Sequence, residues 1–177
     1  RSVFEPWKKR IPWLLLLMIS ATFTGQIIQH YEEALGAYIV LTSFIPMLMD
    51  TGGNAGGQAS VSIIRALSLK EIEFSDIFKI IWKEIRVAVL CGLTLSAANF
   101  LKLLFFDKLA ISVAAVICLT LLIVVSIAKL VGCCLPMLAS KVGFDPAVMA
   151  SPFITTIVDA ISLTIYFMIA TNVLHLA

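Results

Sequence analysis

The apolar residues of this chain fall in five blocks, each long enough to cross a bilayer as a helix. About 20 predominantly apolar residues suffice for one crossing. Barrel strands are about half that length and alternate in character, so the blocks read as helices. Composition agrees, with 60% hydrophobic and 14% charged residues among 177, where a soluble domain carries about 25% charged. Mean hydropathy is +1.03. The chain is read as an all-α integral membrane protein in one transmembrane domain, 1–177, with the lipid bilayer as its surroundings. A net charge of +2 gives no reason to expect a nucleic-acid partner.

The expected spans are 11–28, 35–65, 85–106, 109–138 and 147–174. Trp7 and Trp13 bracket the start of the first as interfacial anchors. Residues 70–84 are charged and amphipathic, with Ile72, Phe74, Ile77, Phe78 and Ile81 near one side. They read as a helix lying on the membrane surface and running into the third span. No cleavage site follows the basic N-terminal residues, and the missing initiator Met suggests a piece of a longer or processed protein. Five crossings put the two ends on opposite sides. With the N-terminus inside, ten Lys and Arg fall on inner segments and only Lys102 and Lys108 outside, leaving Lys129 within a span. The positive-inside rule then makes the N-terminus cytoplasmic, in a multi-pass protein of the cell membrane.

Two spans carry polar residues that lipid would not tolerate. Asp159 lies well inside the last one, where a carboxylate costs roughly 2.5–3.5 kcal/mol on insertion scales. Such a residue reads as a functional site facing a polar cavity. Its bland alternatives are a helix cap or a pair with a buried Lys, and no Lys or Arg follows Lys141. Ser151 and Thr155 align with Asp159 at a spacing of four, with Thr156 beside them and Ser162 near the next turn. The second span carries Asp50, Asn54, Gln58 and Ser62, again spaced by four. Gly52/Gly56 and Gly53/Gly57 are overlapping small-xxx-small pairs that let another helix come close. The glycines alone could be a packing seam, but the Asp, Asn and Gln stripe reads as a water-filled path.

Counted inward at about 1.5 Å per residue, Asp50 and Asp159 come out at similar depth in the inner half of the bilayer. The donors there are all oxygen, which suits Mg²⁺, Mn²⁺ or Ca²⁺ better than soft metals. Mg²⁺ keeps several waters and is commonly held by one or two carboxylates. One Asp159 per chain is thin for a dication, and a two-fold dimer would bring two copies to the axis. The four cysteines lie in apolar segments without CxxC spacing and read as packing residues.

The runs Pro46-Met-Leu-Met-Asp-Thr-Gly-Gly-Asn-Ala-Gly-Gly-Gln-Ala-Ser60, Ile64-Arg-Ala-Leu67, Ser151-Pro-Phe-Ile-Thr-Thr-Ile-Val-Asp159 and Ile165-Tyr-Phe167 resemble the transmembrane domain of the MgtE family of Mg²⁺ channels. The resemblance implies a homodimer with its pore on the two-fold axis, lined by spans two and five. It implies that Asp159 of each chain recognises largely hydrated Mg²⁺, with Asp50, Asn54, Thr155 and Thr156 near the ion and Gly53, Gly57, Gln58, Ser151 and Ser162 lining the path. Mn²⁺, Co²⁺ or Ca²⁺ are further candidates as the transported ion. Family members typically carry a cytoplasmic acidic domain and a CBS pair before the pore, and neither is found in this chain.

Other classes fit less well. A coupled secondary transporter would show an inverted repeat, and five spans do not divide into equal halves. An intramembrane aspartyl protease could use Asp50 and Asp159, but neither follows the Gly-x-Gly motif of that family. A purely structural assembly module would not need two polar stripes. The chain is therefore expected to transport ions and not to act as an enzyme.

Overall fold

A computed structural model describes residues 2–36 and 38–175, without the side chains of 147–152. The described residues form helices α1 (Phe4–His30), α2 (Glu32–Leu35), α3 (Val40–Ser43), α4 (Ile45–Ser68), α5 (Ile77–Phe105), α6 (Ile111–Lys141) and α7 (Pro146–Val173). Four helical segments are long and apolar enough to cross a membrane: Phe4–His30, Phe74–Phe105, Ile111–Lys141 and Phe153–Val173. This makes the chain a multi-pass membrane protein. α4, at 24 residues, has the length but not the apolar content, because Asp50, Asn54, Gln58 and its glycines dilute it.

Three boundaries differ from the sequence reading. The span expected over 35–65 is broken near its start: α2 and α3 are short, and α4 begins only at Ile45 with Pro46 in its first turn. Proline is well placed there, because first-turn N–H groups have no helical partner anyway. α1 starts before the expected residue 11, and a Glu5–Lys9 ion pair at 2.9 Å, one turn apart, supports its exposed first turns.

The third difference concerns residues 70–84, where the helix begins only at Ile77 and, as expected, runs on into the following span. A 3₁₀ turn at Phe74–Asp76 leads straight into α5, which continues through the membrane segment. Neither Gly nor Pro interrupts Ile77 to Val89, so nothing stops the helix. The start is set by a capping box, in which the Glu73 N–H donates to the Asp76 carboxylate at 3.0 Å. Ile72, Phe74, Ile77 and Ile80 pack against Ile63, Cys133 and Met137. Part of the apolar side is thus covered by α4 and α6, while Phe78 and Trp82 stay exposed.

α6 is the central helix. It contacts α4, α5 and α7, and it buries Val113, Ile117, Leu121, Val125, Ala128 and Met137. α1 sits outside, contacting α7 and presenting Leu14, Met18, Ile19 and Phe23 to its surroundings. α4 runs parallel to α6, since Gly52 lies by Val124 and Gly56 by Ala128. It runs antiparallel to α7, with Gly52 by Val158 and Gly56 by Ile154. α6 ends in a Schellman motif: Gly143 takes φ +86°, and the Phe144 N–H donates to the Ala139 carbonyl at 2.9 Å. A buried Tyr166 hydroxyl donates to the Leu41 carbonyl at 2.7 Å, tying α7 to the broken segment before α4.

The tightest contact is the crossing of α4 and α6. A Cβ placed on Gly132 would collide with the backbone of Gly56. Lipid chains are as apolar as leucine, so helix association in a membrane draws on close van der Waals packing. Gly132→Ala should therefore lower stability by about 1–3 kcal/mol, as overpacking does. Gly25 has open space where its Cβ would stand, and Gly25→Ala should be neutral or gain up to about 1 kcal/mol from helix propensity. Thermal unfolding in detergent compares the two, and an undiminished Gly132→Ala protein would contradict so close a crossing.

Candidate functional site

The overlapping glycine pairs of α4 divide the helix into two faces. Gly52 and Gly56 are buried against α6 and α7, while Gly53 and Gly57 have open space where a Cβ would stand. The seam is thus used within the chain on one side and left open on the other. Asp50, Asn54, Gln58 and Ser62 are exposed along the open side. A shallow concavity of about 670 Å³ runs there, lined by Gly53, Asn54, Gly57, Gln58, Val61 and Ser62.

The antiparallel register brings α7 alongside at the matching level. Because Gly52 contacts Val158, Asp50 and Asp159 sit near one another, close enough for their charges to interact. Two residues 109 positions apart in the sequence therefore stand at one level of the α4–α7 pair. Asp159 and Thr156 are half-buried and Thr155 is exposed. The expected lining role of Ser151 falls on a side chain outside the described residues.

Ser162 is not on this open face. It is buried, its hydroxyl donates back to the Val158 carbonyl, and it packs beside Gly52. Three residues beyond Asp159 advance the helix by about 300°, which turns Ser162 toward α4. Hydroxyls in membrane helices commonly bond to their own preceding turn.

The donors gathered here are carboxylate, amide, hydroxyl and backbone oxygen. Among the described residues there is no cluster of three or more His, Cys, Asp and Glu. A cation at this face would be met by few protein charges and would keep much of its water. That suits a hard, strongly hydrated dication more than a tightly coordinated resident metal.

Behind the open face lies a second cavity, of about 510 Å³, between α4, α5 and α6. Thr51, Asn54, Gln58, Thr94 and Lys129 are among the residues that line it. The buried Lys129 ammonium lies 3.9 Å from a Glu84 carboxylate oxygen. Sequence reasoning left Lys129 in a span without a partner. The signal was present: Glu84 and Lys129 lie at similar distances on either side of the Asp107-Lys108 turn, so an α5–α6 hairpin brings them level.

Comparison with known proteins bears on this geometry directly. The family described as "MgtE: Divalent cation transporter" matches residues 45–169. The chain belongs to the MgtE family. It is 35% identical over 164 residues to the magnesium transporter MgtE of Thermus thermophilus, covering 93% of this chain and 36% of that protein. The corresponding protein of Bacillus subtilis is 33% identical over 167 residues, covering 94% and 37%. That of Enterococcus faecalis is 36% identical over 165 residues, covering 92% and 36%. The chain thus spans little more than a third of the length of these MgtE relatives. The matched region runs from the start of α4 into the second half of α7 and takes in both polar faces.

If the α4 face borders water, cysteines placed at Asn54 and Gln58 in a cysteine-free background should react readily with a charged, membrane-impermeant thiol reagent. A cysteine at Ser162 should react far more slowly, since that position is buried between α4 and α7. Equal rates at the three positions would show that the two faces are not distinguished as described.

Proposed function

We propose that this chain is the membrane pore of a magnesium transporter, working as a homodimer whose path runs on the two-fold axis between the α4 and α7 helices of both copies. The observation that carries the reading is the meeting of Asp50 and Asp159 at one level beside the open glycine and amide face, in a chain of the MgtE family. In this reading α4 is the fifth crossing. Its polar stripe is tolerable because it borders water and not lipid. The N-terminus is cytoplasmic, following the distribution of Lys and Arg.

The chemistry follows from hydration. Mg²⁺ releases its inner waters reluctantly, so a path that passes it quickly touches the hydrated ion. Asp159 from both protomers then accepts charge-assisted hydrogen bonds from the ion's water shell. Away from bulk water the attraction between two carboxylates and a dication is less screened than at a surface. Asn54, Thr155 and Thr156 supply further oxygens around the shell. Gly53 and Gly57 leave the path wide enough to keep it. Conduction needs binding strong enough to enter and weak enough to leave, and contact through water provides that balance.

Asp159→Asn preserves shape and an acceptor oxygen but removes both negative charges from the axis. The expected result is a folded dimer whose Mg²⁺ uptake falls to background. Asp159→Glu, which keeps the charge but adds a methylene on each side, should impair flux less completely, and Asp50→Asn less than Asp159→Asn. Growth of an uptake-deficient strain at limiting Mg²⁺, with currents in membrane patches, reads all three. Normal currents from well-expressed Asp159→Asn protein would overturn the assignment.

The dimer has its own test. Single cysteines at Gly53 or Gly57, on the open side of α4, should crosslink between copies, and cysteines at Gly52 or Gly56 should not. Active protein that stays monomeric throughout would rule out a shared axis at this face.

A further inference from the structure

We propose that Glu84 is a positioning residue that holds the Lys129 ammonium away from the ion path, so that this buried cation behind the polar stripe does not repel the transported dication. The proposal rests on the reading of the α4 face as that path.

Three observations support it. The side chains of Lys129 and Glu84 are only 6% and 17% exposed, so both charges are largely removed from solvent. A charge buried this way persists only when it is paired. Their separation of 3.9 Å is an ion pair too long for a hydrogen bond. The tether between them is therefore electrostatic. Finally, Lys129 lines the same 510 Å³ cavity as Thr51, Asn54 and Gln58. Asn54 and Gln58 also line the open concavity on the other side, so their amides stand between Lys129 and the proposed path.

These facts define what happens when the tether is cut. A lysine chain has several rotatable bonds, and the cavity has room for it to swing. Without Glu84, the acceptors within the cavity are the hydroxyls of Thr51 and Thr94 and the amide oxygens of Asn54 and Gln58, three of the four on α4. An ammonium drawn to them is a positive charge next to a doubly charged ion, in a setting where screening is weak. With Glu84 present, the pair is neutral as seen from the path. The glutamate thus acts on the ion through the lysine and does not touch it.

The test is a charge cycle in the full-length protein, reading Mg²⁺ uptake at limiting and at saturating Mg²⁺ together with assembly and thermal stability. Glu84→Gln should lower uptake at limiting Mg²⁺ by about tenfold, the effect of one uncompensated charge near a dication, with a smaller loss at saturation. Lys129→Met added to Glu84→Gln should restore uptake, because the ammonium is gone. A merely structural pair would lose and regain uptake only in step with assembly and thermal stability, at limiting and saturating Mg²⁺ alike, whereas the proposed role shows in folded Glu84→Gln protein as a loss confined mainly to limiting Mg²⁺. Should Glu84→Gln alone fail to assemble, Lys129→Met decides the matter: undiminished uptake supports the proposal, and loss of uptake by folded protein overturns it. Normal uptake by folded Glu84→Gln, or a double variant as impaired as the single one, also overturns it. Asp159→Asn in parallel separates this question from the path itself: if that variant transports normally, the path is wrong, whatever the cycle shows.

Discussion

Much of this structure depends on how closely α4 approaches α6. At their crossing no side chain fits between Gly132 and the backbone of Gly56. In water, burying apolar area would drive such a contact. In lipid that drive is absent, and close backbone packing takes its place. The crossing fixes the rotation of α4 about its own axis. Once Gly52 and Gly56 are turned inward, Gly53, Asn54, Gly57 and Gln58 must face outward. The polar stripe is therefore held open by the packing on the opposite side of the same helix.

The same contact sets the register with α7. Val158 and Ile154 meet Gly52 and Gly56, and that register carries Asp159 to the level of Asp50. Tyr166, buried and bonded to the Leu41 carbonyl, secures α7 near its other end. The acid is thus placed by packing contacts of apolar and small residues, none of which takes part in the chemistry. Metal sites built from many ligands can tolerate some looseness in one of them. With only Asp50 and Asp159 as acids at this level among the described residues, their positions come from the scaffold.

The chain manages its intramembrane charges in two ways. Asp50 and Asp159 are turned toward a polar face. Lys129 and Glu84 are buried against each other within α5 and α6. Desolvation makes either group alone costly, and pairing makes both tolerable. The two arrangements lie on either side of Asn54 and Gln58, which line both cavities. The helix α4 is in this sense asymmetric, with an open polar face on one side and a neutral ion pair behind the other.

Helical class and the existence of two polar stripes were legible from sequence, because hydropathy and a spacing of four depend only on local order. The similar depth of Asp50 and Asp159 was expected from counting residues across a bilayer, and the α4–α7 register agrees with it. What sequence could not decide was which face of each helix meets which neighbour. Both glycine pairs of α4 have the same spacing, and only the crossing with Gly132 shows that Gly52 and Gly56 turn inward. Ser162 looked like an extension of the α7 stripe, and its place against Gly52 removed it. The apolar residues of 70–84 share a side in the sequence, and only the structure shows that Ile72, Phe74, Ile77 and Ile80 meet α4 and α6 while Phe78 stays exposed. Periodicity states that residues share a face. What that face touches is set by contacts between residues far apart in the chain, and only the tertiary structure holds those.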